Sequence, residues 1–196
     1  MRRKGARSTE EENNKRQRIS FIILMITIVL TFIAAGLLTV NWFIVKDLYT
    51  GFVINFVGTS FLIAAGLGLC SFFLYLYTVI VFKNPQRLKK SSVVKFVIGW
   101  IITILVTITI FLFGANETKK SMQDIKAYAN EKWIVKDLAV TDVYRGSATS
   151  KITLVETTEG EMVIHWERFL IQQGQTYRFT YLDATKTIID VEMISN

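Results

Sequence analysis

Three stretches of this chain carry no charged side chain: Ile19 to Val45, Leu48 to Phe82 and Phe96 to Asn116. A helix needs roughly 20 residues to cross a hydrocarbon layer of about 30 Å, and inside that layer the backbone has only itself to hydrogen-bond. All three runs meet that length. Burying three such rods in a water-soluble protein would require a shell of amphipathic elements, and the rest of the 196 residues are too few to build one. The expectation is therefore a three-helix transmembrane domain over 19–115, with spans at about 19–45, 52–82 and 94–114. Ala34-Ala35-Gly36 offers the small residues of a signal-peptidase site, but uncharged sequence continues well past Gly36. An h-region is only about 7–15 residues long, so the first run reads as an uncleaved anchor.

Basic residues flanking the spans set the orientation, because the cytoplasmic side collects them. The tail over 1–18 contains seven, the loop at Lys46 and Asp47 one, and the segment from Lys83 to Lys95 five. This alternation predicts a cytoplasmic N-terminus and a third helix that exits outward, giving a multi-pass cell-membrane protein with its C-terminal domain outside the cytoplasm. From Asn116 onward the chain holds ten basic and twelve acidic residues, so the formal charge of +7 comes from the membrane-proximal segments. That distribution suits attraction to anionic membrane lipids and argues against nucleic acid as a partner.

The spans contain no charge that could relay an ion. Their most polar members are Asn55, Thr59 and Ser60 in the second helix, which suit hydrogen bonds between helices or a small polar site. Small residues recur every fourth position: Thr31, Ala35 and Thr39, then Ser60, Ala64 and Gly68, then Gly99, Thr103 and Thr107. Such stripes let helix backbones approach closely within one chain or between copies in a homo-oligomer. Cys70, the single cysteine, reads as a small apolar filler.

Past Gly114 the composition changes. Residues 116–132 are polar, lack Pro and Gly, and include Ser121-Met122-Gln123-Asp124, which resembles a capping box. Met122, Ile125 and Tyr128 follow at three-residue steps, so this segment is expected to be a helical stalk. Residues 133–196 switch to period-two alternation. Strands are expected at Trp133 to Tyr144, Lys151 to Thr157, Glu161 to Trp166, Thr176 to Leu182 and Thr187 to Ile194, with a helical turn over Glu167 to Gln173. Five strands with a short helix between the third and fourth match the order of an OB-like antiparallel β-barrel. The fold class expected is thus an α+β membrane protein, with three transmembrane helices followed by a small extracytoplasmic barrel.

Chemistry is sparse. His165 is the single histidine and no cysteine lies beyond the spans, so triads and multi-His or multi-Cys metal sites cannot be assembled from one chain. Glu156, Glu159 and Glu161 surround a Gly160 turn without the ligand spacing of a calcium loop. No catalytic residue, metal site or cofactor is expected. The alternation places His165, Arg178 and Thr180 outward on neighbouring strands, with Arg145 at a loop rim, and these are the expected binding residues. The functional expectation is a non-enzymatic accessory or protective (immunity-type) protein that binds another membrane or extracytoplasmic protein. The alternative is a lipid- or small-molecule-handling protein or transporter subunit working through Asn55 to Ser60. A bacterial source fits the compact plan, the absence of disulfides and a sole Asn-x-Thr motif, Asn116-Glu117-Thr118, beside the third span.

Overall fold

The structure is a computed structural model that describes residues 2–83, 90–145, 152–165 and 169–194. The basic segment 84–89, the 146–151 connection and Trp166-Glu167-Arg168, which hold the end of the expected third strand and the start of the expected helical turn, lie outside the described residues. Three helices account for the first two thirds of the chain: α1 (Arg2–Phe43), α2 (Leu48–Thr78), which continues into a π-helical turn at Val79–Lys83, and α3 (Lys90–Ala129). Each is long and apolar enough to cross a membrane. Five strands follow: β1 (Ile134–Arg145), β2 (Ile152–Thr157), β3 (Gly160–His165), β4 (Thr176–Tyr181) and β5 (Ile188–Met193).

The chain divides into two compact units. The helical unit comprises Met1–Leu37 and Val57–Ala115, and the sheet unit comprises Leu38–Phe56 and Asn116–Asn196. In the helical unit α2 meets both α1 and α3. A β-carbon added at Gly68 would lie 2.5 Å from Thr27 Oγ1 on α1, and one at Gly114 on α3 would lie 2.7 Å from Ile63 Cγ2 on α2. At both places a β-branched side chain of the neighbouring helix is seated where any other residue would put its own β-carbon, as expected where lipid supplies no hydrophobic drive for helix association. The contact line on α1 differs from the expected stripe. Thr27 and Ala34 are buried, whereas Thr31 and Ala35 are exposed. Thr31 satisfies its hydroxyl by donating to the Thr27 carbonyl of its own helix at 2.8 Å, so its polarity does not require a neighbour. On α3 the stripe of Gly99, Thr103 and Thr107 is half-buried, and Tyr77 of α2 meets Gly99.

The segment expected as a helical stalk is helical to Ala129, as the unbroken continuation of α3. The segment after Asn116 contains neither Pro nor Gly, so nothing ends α3 before Ala129, and the expected capping box lies in mid-helix. α3 closes on a Schellman turn, in which Lys132 N–H donates to Ala127 O at 2.8 Å and Glu131 N–H to Tyr128 O at 3.1 Å. Glu131 takes the left-handed position of that turn with φ 54°.

The sheet is antiparallel with strand order β3-β2-β1-β4-β5. β1 serves two partners: Ile134 to Ala139 pair with β4, and Val140 to Arg145 pair with β2 across a bulge between Val140 and Asp142. The bulge frees the Thr141 carbonyl, which accepts Gln173 Nε2 at 2.7 Å. Leu138, Val155, Met162, Ile164, Phe179 and Tyr181 form one core, with Ile171 of the β3–β4 connection buried against it. Alternation is kept in β4, where Tyr177, Phe179 and Tyr181 are buried, but not along β5. Its register shifts opposite Thr180 and Tyr181, so Ile188 enters the core and Met193 is left exposed.

The expected closed barrel is not formed, and the sheet is open. Its two edge strands touch at one parallel bridge, Val163 with Thr187, where Val163 N–H donates to Lys186 O at 3.0 Å. Lys186 has φ 55°, the left-handed turn that swings its carbonyl toward β3. A bridge of one pair is not a ladder.

Candidate functional site

The expected binding residues do not come together. Arg178 and Thr180 share the outer face of β4, but β2 and β1 separate β4 from β3, so His165 is on no neighbouring strand. His165 is half-buried, with its ring edge-on to Phe52 of α2 at 6.1 Å. Removal from water holds its pKa below the ordinary 6.5. Arg145, at the end of β1, donates from Nη2 to the Ile171 carbonyl at 3.3 Å, so it braces the β3–β4 connection. Arg178 grips the Asp137 carboxylate through Nε and Nη2, at 2.8 and 3.2 Å. That pairing lowers the Asp137 pKa and raises that of Arg178. Glu192 is its register partner on β5, so this guanidinium is already neutralised across the sheet. Around it, Val135 is exposed and Thr180 half-buried, which leaves a mixed polar and apolar strand face.

A second feature of the sheet unit was not legible as a site. Where α3 ends, Tyr128 stacks on Tyr49 of α2 with ring centroids 5.6 Å apart and an interplanar angle of 23°. Trp133, just before β1, lies 6.1 Å from Tyr128. Together with Ala129 and Glu131 these rings line a cleft of about 430 Å³. The rings are not fully covered: Tyr49 is 39% and Trp133 38% exposed. Glu131 occupies the backbone conformation that glycine adopts freely. A side chain there costs roughly 1–2 kcal/mol, and such local strain is kept where the surroundings impose it. Among the described ion pairs none uses the Glu131 carboxylate. The one sequence signal for this cleft is the recurrence of Tyr128 after Met122 and Ile125, and that spacing points only to a helix.

The buried carboxylate Asp124 holds these elements in place. It is 4% exposed and accepts N–H bonds from Ala184 at 3.1 Å and Thr185 at 2.8 Å in the β4–β5 turn. The turn is closed further by Thr185 and Thr187 hydroxyls 2.7 Å apart and by the Lys186–Asp183 ion pair at 2.7 Å. Asp142, Glu156 and Glu161 line a shallow cavity on the opposite half of the sheet, but no metal-binding group of His, Cys, Asp and Glu exists among the described residues. Asn55 is exposed, Thr59 and Ser60 are half-buried, and no described cavity is lined by any of them. Compared with family models, curated proteins and solved structures, the chain matches none, so function is read from this geometry alone.

Proposed function

We propose that this chain is a membrane-anchored binding protein of accessory or protective type, whose helices hold a small sheet domain outside the cytoplasm for another protein to engage, without catalysis. The observation that carries the reading is the Asp124 anchor. Its two N–H bonds pin the β4–β5 turn to α3, and the Phe52–His165 contact adds α2. A sheet fixed to helix ends in this way suits presentation of a surface better than a domain on a free tether does. The seven, one, five alternation of basic residues supports the outward orientation. The outer face of β4 and its neighbours, with Val135, Arg178 and Thr180, is the surface we assign to the partner, since its residues are exposed or half-buried and lie opposite the core.

The same reading extends to the sheet itself. β1 is shared by both halves, the strand order is β3-β2-β1-β4-β5, and β3 and β5 touch at one parallel bridge, an arrangement that favours an OB-like design which the open sheet approaches at Val163 and Thr187 without closing. Barrels of this kind bind on a face or rim, but the fold alone does not name the ligand. The test is purification in mild detergent after in-cell crosslinking from a photoreactive residue at Thr180. A stoichiometric protein adduct that disappears with Arg178→Glu, in a chain that still folds, supports the proposal. Adducts of equal yield from an exposed apolar position such as Leu105 would sink it.

A further inference from the structure

Three properties of the cleft at the end of α3 converge on one kind of ligand. Tyr49 stacks one face on Tyr128, and the partly exposed rings of Tyr49 and Trp133 leave to the cleft the negative π surface that neither Tyr128 nor the backbone covers. The Glu131 carboxylate borders the same cleft and enters none of the described ion pairs. Ala129 is the last residue of a 40-residue helix, and the carbonyl end of a helix carries partial negative charge. Aromatic faces, a carboxylate and a helix C-terminus all favour a cation. Aromatic faces in particular favour one that is weakly hydrated, such as a quaternary ammonium, over a small metal ion that would need oxygen ligands. The cleft volume of about 430 Å³ falls within the range of roughly 300–1,000 Å³ usual for small-ligand sites.

We propose that the cleft lined by Tyr49, Tyr128, Glu131 and Trp133 is a binding site for a compact organic ammonium group, as carried by choline and related amines. Two sources offer that chemistry, a phospholipid headgroup and a free solute. The charge-free run of α3 ends at Asn116, and Tyr128 lies twelve residues further along the same helix, roughly 18 Å at 1.5 Å per residue. Headgroups add only about 5–8 Å to each side of the hydrocarbon core. Tyr49, on the other wall of the cleft, comes from the start of the second charge-free run, three residues before the expected span, so both sources are kept and the experiment separates them. Glu131 has a defined part in this arrangement. Glycine would relieve its backbone, so retaining a carboxylate there exchanges local stability for a charge beside the rings.

The experiment uses the full-length protein in a detergent without an ammonium group, with tryptophan fluorescence and calorimetry as readouts. Choline should give a saturable response, and its neutral isostere 3,3-dimethylbutanol should not. Trp133→Phe should remove the fluorescence change while leaving part of the calorimetric signal. Glu131→Gln should weaken choline at least tenfold. Glu131→Gly should abolish the response while the thermal midpoint stays level or rises, which separates lost binding from lost folding. In nanodiscs, equal binding of free choline with phosphatidylcholine and with phosphatidylglycerol bilayers would support the site and identify a free solute as its source. Equal responses to choline and the isostere, or full choline affinity in Glu131→Gly, would overturn the proposal. Suppression of the choline response in phosphatidylcholine nanodiscs alone would support the site and identify the headgroup as its source.

Discussion

Asp124, five residues before the end of α3, accepts a hydrogen bond from the Thr185 backbone at 2.8 Å across 61 residues of sequence. With the matching bond from Ala184, one buried carboxylate satisfies two N–H groups of a turn that no strand ladder reaches. Asp124→Ala leaves both donors without a partner in a buried site, at a cost of roughly 1.5–3 kcal/mol. Asp124→Asn keeps one carbonyl oxygen and should lie between Ala and the wild type. Amide hydrogen exchange is the direct measurement. Protection at Ala184 and Thr185 should fall in Asp124→Ala, while the β1–β2 ladder stays as slow as in the wild type. Uniform loss of protection over all five strands would show that Asp124 supports the whole sheet and not this turn alone.

The sequence displayed some of this and concealed the rest for physical reasons. Spans and strands follow from periodicity, and local periodicity is what a single sequence shows best: expected Thr176 to Leu182 and observed Thr176–Tyr181 differ by one residue. The Ser121-to-Asp124 pattern misled because a capping box is a local signature, whereas Asp124 caps a turn 60 residues away. The Thr31 stripe misled for a related reason. A threonine in a span can satisfy itself on its own helix, so small polar residues do not by themselves mark the contact face. The aromatic cleft joins Tyr49 to Tyr128 and Trp133, residues from three separate segments. No spacing rule connects them. His165 and Arg178 were placed outward from strand alternation, which tells one face from the other but not which strands are neighbours, nor that Phe52 covers one of those faces.

The half-buried His165 makes stability depend on pH with a definite sign. Its folded pKa lies below the ordinary 6.5, so between those two values the unfolded chain binds the proton and the folded one does not. Its contribution is fully present above about pH 6.5 and is lost as pH falls through the folded pKa. The thermal midpoint of the wild type should therefore drop more steeply below pH 6.5 than that of His165→Gln, with the two slopes equal above it. Parallel curves across the whole range would mean that the Phe52 contact opens before the proton arrives.

Glycines of the helical unit divide into two groups by what surrounds them. A methyl group at Gly68 meets Thr27 Oγ1 at 2.5 Å, and one at Gly114 meets Ile63 Cγ2 at 2.7 Å, both β-branched side chains with little freedom to retreat. Nothing lies within 4 Å of the position at Gly36. Gly68→Ala and Gly114→Ala should each destabilise the helix assembly by about 1–3 kcal/mol, as overpacking does. Gly36→Ala should be neutral or stabilise by up to about 1 kcal/mol through helix propensity. Unfolding by increasing denaturing detergent, followed by circular dichroism, separates the two groups. Equal loss in all three variants would mean that glycine acts there through backbone flexibility and not close approach.

The orientation rests on charge, and accessibility tests it directly. Thr158 at the β2–β3 turn and Ser91 at the start of α3 are both exposed in the structure, so burial does not hide either from a reagent. In a Cys70→Ala background, which removes the sole native thiol, a cysteine at each position becomes the one labelling site. Thr158→Cys should react with a membrane-impermeant maleimide in intact cells, and Ser91→Cys only after lysis. The positive-inside rule assigns the five basic residues from Lys83 to Lys95 to the cytoplasm, and α3 joins that segment to the sheet unit by a single apolar run. Because one helix connects them, the two sites must fall on opposite sides if α3 spans. Labelling of both in intact cells would mean that α3 does not cross. Labelling of Ser91→Cys alone would invert the protein and place the sheet, with its aromatic cleft, in the cytoplasm.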